Sequence, residues 1–152
     1  MALSPDVVGT VLPTTALRLE RGRLRLFAKA IGLVEPVYVD VAAARAAGHP
    51  DLPAPPTFLA ALQHEVPRSL GWLEDLGVDP ARVLHGEQSF TYHQMAYAGQ
   101  KLTMTGRISD YAVKKGGDME LLTRHFQVTD TNGAPIAELG DVVVVRHPQV
   151  SP

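Results

Sequence analysis

His85, Glu87 and His93 are the side chains best suited by type to hold a metal. On an extended segment their numbers share one parity, so a strand would carry all three on one face. A hydrogen-bonded strand face is the plainer reading of that spacing. Two carboxylates stand where a general base could be sought. Glu35 precedes Pro36 in a loop, where an ordinary solvated carboxylate is expected. Glu65 follows His64 at the end of an apolar stretch, where Gln63, His64 and Glu65 read as the polar exit of a helix stopped or kinked by Pro67. For Tyr38, packing of the ring and contact with a ligand are both open. Gly116-Gly117 reads as a hairpin turn and not as a phosphate cradle, because no helix follows. Arg18, Arg21, Arg23 and Arg25 alternate with leucines and read as a solvated face that could still meet a phosphorylated ligand.

These residues must be positioned by a chain of 152 residues, expected to form one domain, 1–152, with a core over about residues 8–147. The absence of cysteine excludes disulfides and thiolate-bound metals and is compatible with a reducing compartment. With 14 Lys and Arg against 16 Asp and Glu there is no electrostatic footprint for nucleic acid. The first residues carry no basic and apolar leader pattern, and no apolar run approaches a membrane span, so a cytoplasmic protein is expected. No cofactor is implied.

The positioning element is the stretch from Pro53 to Val66. Pro53, Pro55 and Pro56 force an extended approach, Thr57 offers an N-cap hydroxyl, and Phe58, Leu59 and Leu62 follow in a helix with no polar side chain over 58–62. Such a helix, spanning Thr57 to Glu65, must be wrapped on several sides. Upstream, residues 4–15 read as an entry loop and residues 17–20 as a short strand broken at Gly22. A helix then runs from Arg23 to a terminating Gly32. Residues 33–40 read as extended, followed by an alanine-rich helix over 41–47 with Asp40 as N-cap. Leu70, Trp72, Leu73 and Leu76 mark another helical piece closed by Gly77. From Arg82 the period changes to that of strands. Leu84, Gln88, Phe90 and Tyr92 lie on one parity, then Leu102, Met104, Ile108 and Ala112 on a core face, then Leu121, Leu122, Phe126 and Val128, then a doubly buried run ending in four valines. Lys115 to Asp118 and Thr131 to Ala134 read as hairpin loops, the latter on an Asn-Gly pair, and the tail from His147 as loose. The fold class is α+β, one antiparallel sheet wrapped around one helix.

Four local words carry a resemblance: Phe27-Ala28-Lys29-Ala30-Ile31-Gly32, Pro36-Val37-Tyr38-Val39-Asp40, Ala54-Pro55-Pro56-Thr57-Phe58 and Leu84-His85-Gly86-Glu87-Gln88-Ser89-Phe90. In order and spacing, from about residue 8 to 147, the chain resembles the MaoC-like dehydratase N-terminal family. The resemblance implies a hot-dog fold, pairing into a double hot dog, and the lyase chemistry of fatty acid metabolism. That chemistry is (R)-specific hydration or dehydration of enoyl and 3-hydroxyacyl thioesters on coenzyme A or acyl carrier protein.

Catalytic members of that family carry Gly-Asp-x-Asn-Pro-x-His after the first helix, the Asp and His holding the water that adds across the double bond. Here the matching residues are Gly32-Leu33-Val34-Glu35-Pro36-Val37-Tyr38, so Leu33 stands at the Asp position and Tyr38 at the His position. Neither proton-transfer group carries over. The family's His-Gly before the central helix is Pro55-Pro56 here, which offers no N–H, leaving the Thr57 and Phe58 amides as candidate donors to a thioester carbonyl. These departures resemble the acyl-chain-binding subunits of heterodimeric hydroxyacyl dehydratases, in which a partner hot dog supplies the dyad. The expectation is therefore a subunit without catalytic residues of its own, binding acyl-CoA or acyl-carrier-protein thioester through Tyr38, Thr57 and Phe58. It would pair with itself or with a catalytic MaoC-like chain, with no metal, nucleic acid or membrane involved. Glu35, two residues from the lost Asp, is a candidate for a displaced base. Glu65 would serve the alternative of a hot-dog acyl-CoA thioesterase. A further alternative is an acyl-ligand-binding homodimer without catalysis.

Overall fold

The computed structural model describes residues 2–147. Five strands, β1 (Val11–Arg18), β2 (Val83–Tyr92), β3 (Lys101–Lys114), β4 (Met119–Thr129) and β5 (Pro135–Arg146), form one sheet in the order β1-β3-β4-β5-β2. All of its neighbouring pairs are antiparallel. The short α-helices α1 (Arg21–Ala30), α2 (Val41–Ala46) and α3 (Gly71–Asp75), with a 3-10 helix over Phe58–His64, make the other layer. Period-2 alternation places Leu102, Met104 and Ile108 of β3, Leu122, Phe126 and Val128 of β4, and Leu139, Val143 and Val145 of β5 in one core. Phe58, Leu59 and Leu62 of the 3-10 helix pack into the same core and are almost fully buried. This is the expected hot-dog arrangement of an antiparallel sheet around a central helix.

The central helix differs from expectation in kind. Phe58 N–H donates to Pro55 C=O at 2.9 Å, Ala60 N–H to Thr57 C=O and Glu65 N–H to Leu62 C=O, the three-residue spacing of a 3-10 helix. Thr57 sits at φ −98°, ψ 0° and its side chain makes no capping bond, because a side-chain cap needs an extended N-cap backbone and Thr57 is instead part of the turn from Pro55. A run of seven residues between a proline turn and Pro67 is too short for an independent α-helix. Burial of its three large side chains holds it.

Three upstream expectations are corrected. The entry stretch is a 3-10 turn over Pro5–Val7, capped by Ser4, followed by the eight-residue strand β1. Pro13, which has no N–H for a ladder, sits on this edge strand where the register with β3 shifts between Leu12 and Thr15. Gly22 lies inside α1 and does not break the chain. Residues 36–38 form a 3-10 turn, in which Tyr38 N–H donates to Glu35 C=O, and are not extended.

The helix ends follow expectation. Gly32, at φ +76°, donates to Lys29 C=O while Leu33 N–H reaches Ala28 C=O, a Schellman closure of α1. The Asp40 side chain caps α2 through Ala42 N–H. β2 departs from its expected burial: it is an edge strand, so Leu84 stays 50% exposed and Tyr92 38% although their parity suggested the core. The expected loose tail beyond His147 lies outside the described residues.

Candidate functional site

The segment expected at the place of the family's catalytic motif is anchored to α1. Arg25 Nε donates to Val39 C=O at 2.7 Å, tying the Pro36–Tyr38 turn to α1. Leu33 and Tyr38 are half-buried, and Glu35 is exposed in the same turn. A leucine side chain has no group that can take or give a proton.

Other sequence candidates are engaged elsewhere. Glu65 is ion-paired with Arg23, whose hydrogen bond holds its carboxyl below the usual carboxylate range, the opposite of what a general base near neutral pH requires. Arg21 pairs with Asp51, and Arg18 donates to Gly99 C=O, so the arginines near α1 serve structural contacts. His85, Glu87 and His93 are not brought together. A bulge between His85 and Glu87 breaks the shared parity. His85 meets Gln88 at 3.1 Å, whereas His93 joins Glu138 at 2.9 Å, whose other oxygen is 3.2 Å from His125. The Phe58 amide is spent on Pro55 and its ring lies in the core, stacked edge-on to Phe27 at 5.3 Å, so Phe58 is not the free donor expected. Thr57 is exposed at the start of the central helix. The proline lead-in is held by a residue outside the expected site: Tyr92 donates its hydroxyl to Pro56 C=O, and burial pushes the phenol up to about 12.

The cavity lies at the other end of that helix. A partly open cavity of about 200 Å³ lies between Gln63 and His64, the segment from Ser69 to Leu73, the start of β2 at Val83 to His85, and Arg124 and Val143 on the sheet. Leu33 and Tyr38 do not border it. A smaller void of about 20 Å³ shares Gln63, Ser69, Trp72 and Arg124 with it and reaches Leu12, Thr15, Met104 and Phe126. The two are adjacent, meeting at the four shared side chains.

Its floor is charged. Arg124 on β4 and Asp141 on β5 are cross-strand neighbours at inward positions, and both are buried. Arg124 Nε donates to Asp141 Oδ1 at 2.8 Å and Nη2 to Oδ2, a bidentate pair. Gln63 Nε2 donates to Oδ2 at 3.0 Å, bolting the central helix to the sheet. The guanidinium carbon lies 4.5 Å from the Trp72 ring centre and 5.1 Å from that of Phe126, so the cation is sandwiched by aromatic rings. Sequence reasoning missed this group. The signal was a charge at a core parity on each of two strands, Leu122-x-Arg124-x-Phe126 and Leu139-x-Asp141-x-Val143, of opposite sign.

Comparison with known proteins agrees with this architecture. Residues 6–139 match the FAS1-like, dehydratase domain region family. A UPF0336 protein of Clavibacter michiganensis is 40% identical over 147 residues, 96% of this chain and 97% of that protein. A UPF0336 protein of Streptomyces coelicolor is 36% identical over 147 residues, 96% of this chain and 97% of that one. The HadBC (3R-hydroxyacyl-ACP dehydratase) complex of Mycobacterium tuberculosis superposes with a TM-score of 0.76 at 23% identity, covering 93% of this chain and 99% of that chain. The ChsH1-ChsH2 complex of the same organism gives 0.70 at 25%, covering 93% and 87%. With residues 6–139 matching that model and the antiparallel sheet closed on a buried central helix as in these hot-dog structures, this chain belongs to the FAS1-like, dehydratase domain region family.

Proposed function

We propose that this chain is the acyl-binding, non-catalytic subunit of an (R)-specific enoyl or 3-hydroxyacyl thioester hydratase-dehydratase, acting in the cytoplasm beside a hot-dog partner that supplies the Asp and His. What supports the reading is a largely apolar cavity beside the central helix, together with Leu33 and Tyr38 where the resemblance places the dyad. A lining built from Leu70, Trp72, Leu73, Val83 and Val143 suits an acyl chain, whose methylenes lose water on entry.

The cavity also opens beside β2, whose outer edge has no strand neighbour within this sheet. Unpaired N–H and C=O groups on a long edge, with Leu84 at the start of β2 half exposed, suit pairing with a second hot-dog chain. Such pairing would bring this cavity close to the partner's reacting groups. Tyr38 and the Thr57 amide are assigned to contacts with the thioester end in the assembled dimer.

The test is co-expression with the neighbouring reading frame that encodes Gly-Asp-x-Asn-Pro-x-His, followed by a crotonyl-CoA hydration assay. Activity in the mixture, with affinity for acyl thioester lowered by Tyr38→Phe, is the expected result. Release of free CoA by the chain alone, abolished by Glu65→Gln, would replace this reading with a thioesterase.

A further inference from the structure

One hydroxyl in the core of this molecule has no partner. Thr15 is 5% exposed, and its Oγ1 is a buried side-chain polar atom without a hydrogen bond among the described residues. A buried hydroxyl left unpaired costs on the order of 1–3 kcal/mol. It is also where it is by construction. In a regular strand the inward positions after Leu12 would be 14 and 16, but the shift at Pro13-Thr14 turns Thr15 inward, opposite Met104, with Leu17 following opposite Leu102. Bulges commonly re-aim a side chain beside a binding site. Here the re-aimed side chain borders the small void that continues the acyl cavity past Trp72.

Arg124 lines the same void. It spends Nε and Nη2 on Asp141, and Nη1 donates to no described residue. The end of the path is thus lined by Leu12, Met104, Phe126 and Trp72 but carries a hydroxyl and a guanidinium edge. A plain alkyl chain reaching this point would leave Thr15 unpaired and would lay methylenes against an arginine.

Resting on the acyl-binding reading above, we propose that the acyl group taken by this subunit is oxygenated along its chain. A hydroxyl or carbonyl remote from the thioester would be hydrogen-bonded by Thr15 Oγ1 and the Arg124 guanidinium. The size of the path agrees with a medium-length group. At about 30 Å³ for each water-sized unit, the larger cavity of about 200 Å³ takes roughly seven such units before the Thr15 hydroxyl is reached.

The chain has one tryptophan, and it is Trp72, so its fluorescence reports entry of a ligand directly. The probes are octanoyl pantetheine and its 5-, 6- and 7-hydroxy and oxo derivatives, titrated against the full chain alone and with its co-expressed partner. At least one oxygenated probe should bind about tenfold more tightly than octanoyl pantetheine, the difference expected for a hydrogen bond to a buried donor pair. In Thr15→Val, which keeps the shape and removes the hydroxyl, that preference should vanish while the denaturation midpoint stays equal or rises. Thr15→Ser should restore the preference. Equal binding of plain and oxygenated probes, or unchanged preference in Thr15→Val, overturns the inference while leaving the subunit reading intact. A fall in the midpoint of Thr15→Val also overturns it, because the hydroxyl would then be satisfied within the folded protein. No Trp72 response to any probe, alone or in the mixture, overturns both.

Discussion

Asp141 receives hydrogen bonds from two elements at once, from Arg124 on the neighbouring strand and from Gln63 on the central helix, and its side chain is fully buried. Replacing it by Asn leaves the Arg124 cation buried without a counter-charge, which should cost about 3–5 kcal/mol, read as a lowered denaturant midpoint. Gln63→Ala removes only one charge-assisted bond and should cost about 1.5–3 kcal/mol. A second buried acid gives a pH dependence. Burial pulls the Glu120 carboxyl upward, but hydrogen bonds from Tyr111, His147 and the Leu3 amide outweigh it and hold the group below its ordinary range. A carboxylate with a depressed folded-state value contributes stability that is complete above the unfolded value and is lost as pH falls through the folded one. Acid titration of the wild type should therefore show stability falling below the ordinary glutamate range, and Glu120→Gln should flatten that part of the curve.

At the scale of elements, the central helix is the piece on which the sheet closes. Leu62→Ala should cost about 2–5 kcal/mol, because the side chain is fully buried between helix and sheet, and an unchanged denaturant midpoint would show that this helix is not central. Gly106 leaves room for a ring: a Cβ there would stand 2.2 Å from Phe126 Cδ1, so Gly106→Ala should displace Phe126 from Arg124 and destabilise by about 1–3 kcal/mol. The strands β3, β4 and β5 were legible because their apolar residues alternate and Asn132-Gly133 marks the turn between the last two. β1 was not, since Pro13 and the bulge interrupt its alternation and spread Leu12 and Thr15 three apart. The turn at Pro36 was read as extended because a proline favours both conformations and the choice is made by bonds to Glu35 and Pro36 carbonyls. In the candidate site the proposed loss of the dyad rests on two letters, Leu33 and Tyr38, read from the resemblance. The cavity was not, because Gln63 and Arg124, which line it, and Asp141, which holds both from behind, come from three separate elements and belong to no local motif.

For the whole molecule, the account requires a second chain. Among the described residues no helix is long and apolar enough to cross a membrane. The feature that asks for company is the open edge of β2 with Leu84 half exposed. Sedimentation at micromolar concentration should give at least a dimer, and a stable monomer would count against the assembly. The central claim is that binding and proton transfer are divided between chains. It is tested most directly by the rate of crotonyl-CoA hydration by the purified chain, free of contaminating hydratase, compared with the same chain mixed with its Asp- and His-bearing partner. The account predicts a rate indistinguishable from buffer for the chain alone and turnover in the mixture. Turnover by the chain alone that is abolished by Glu35→Gln would contradict it and identify the exposed carboxylate of the Pro36 turn as the base.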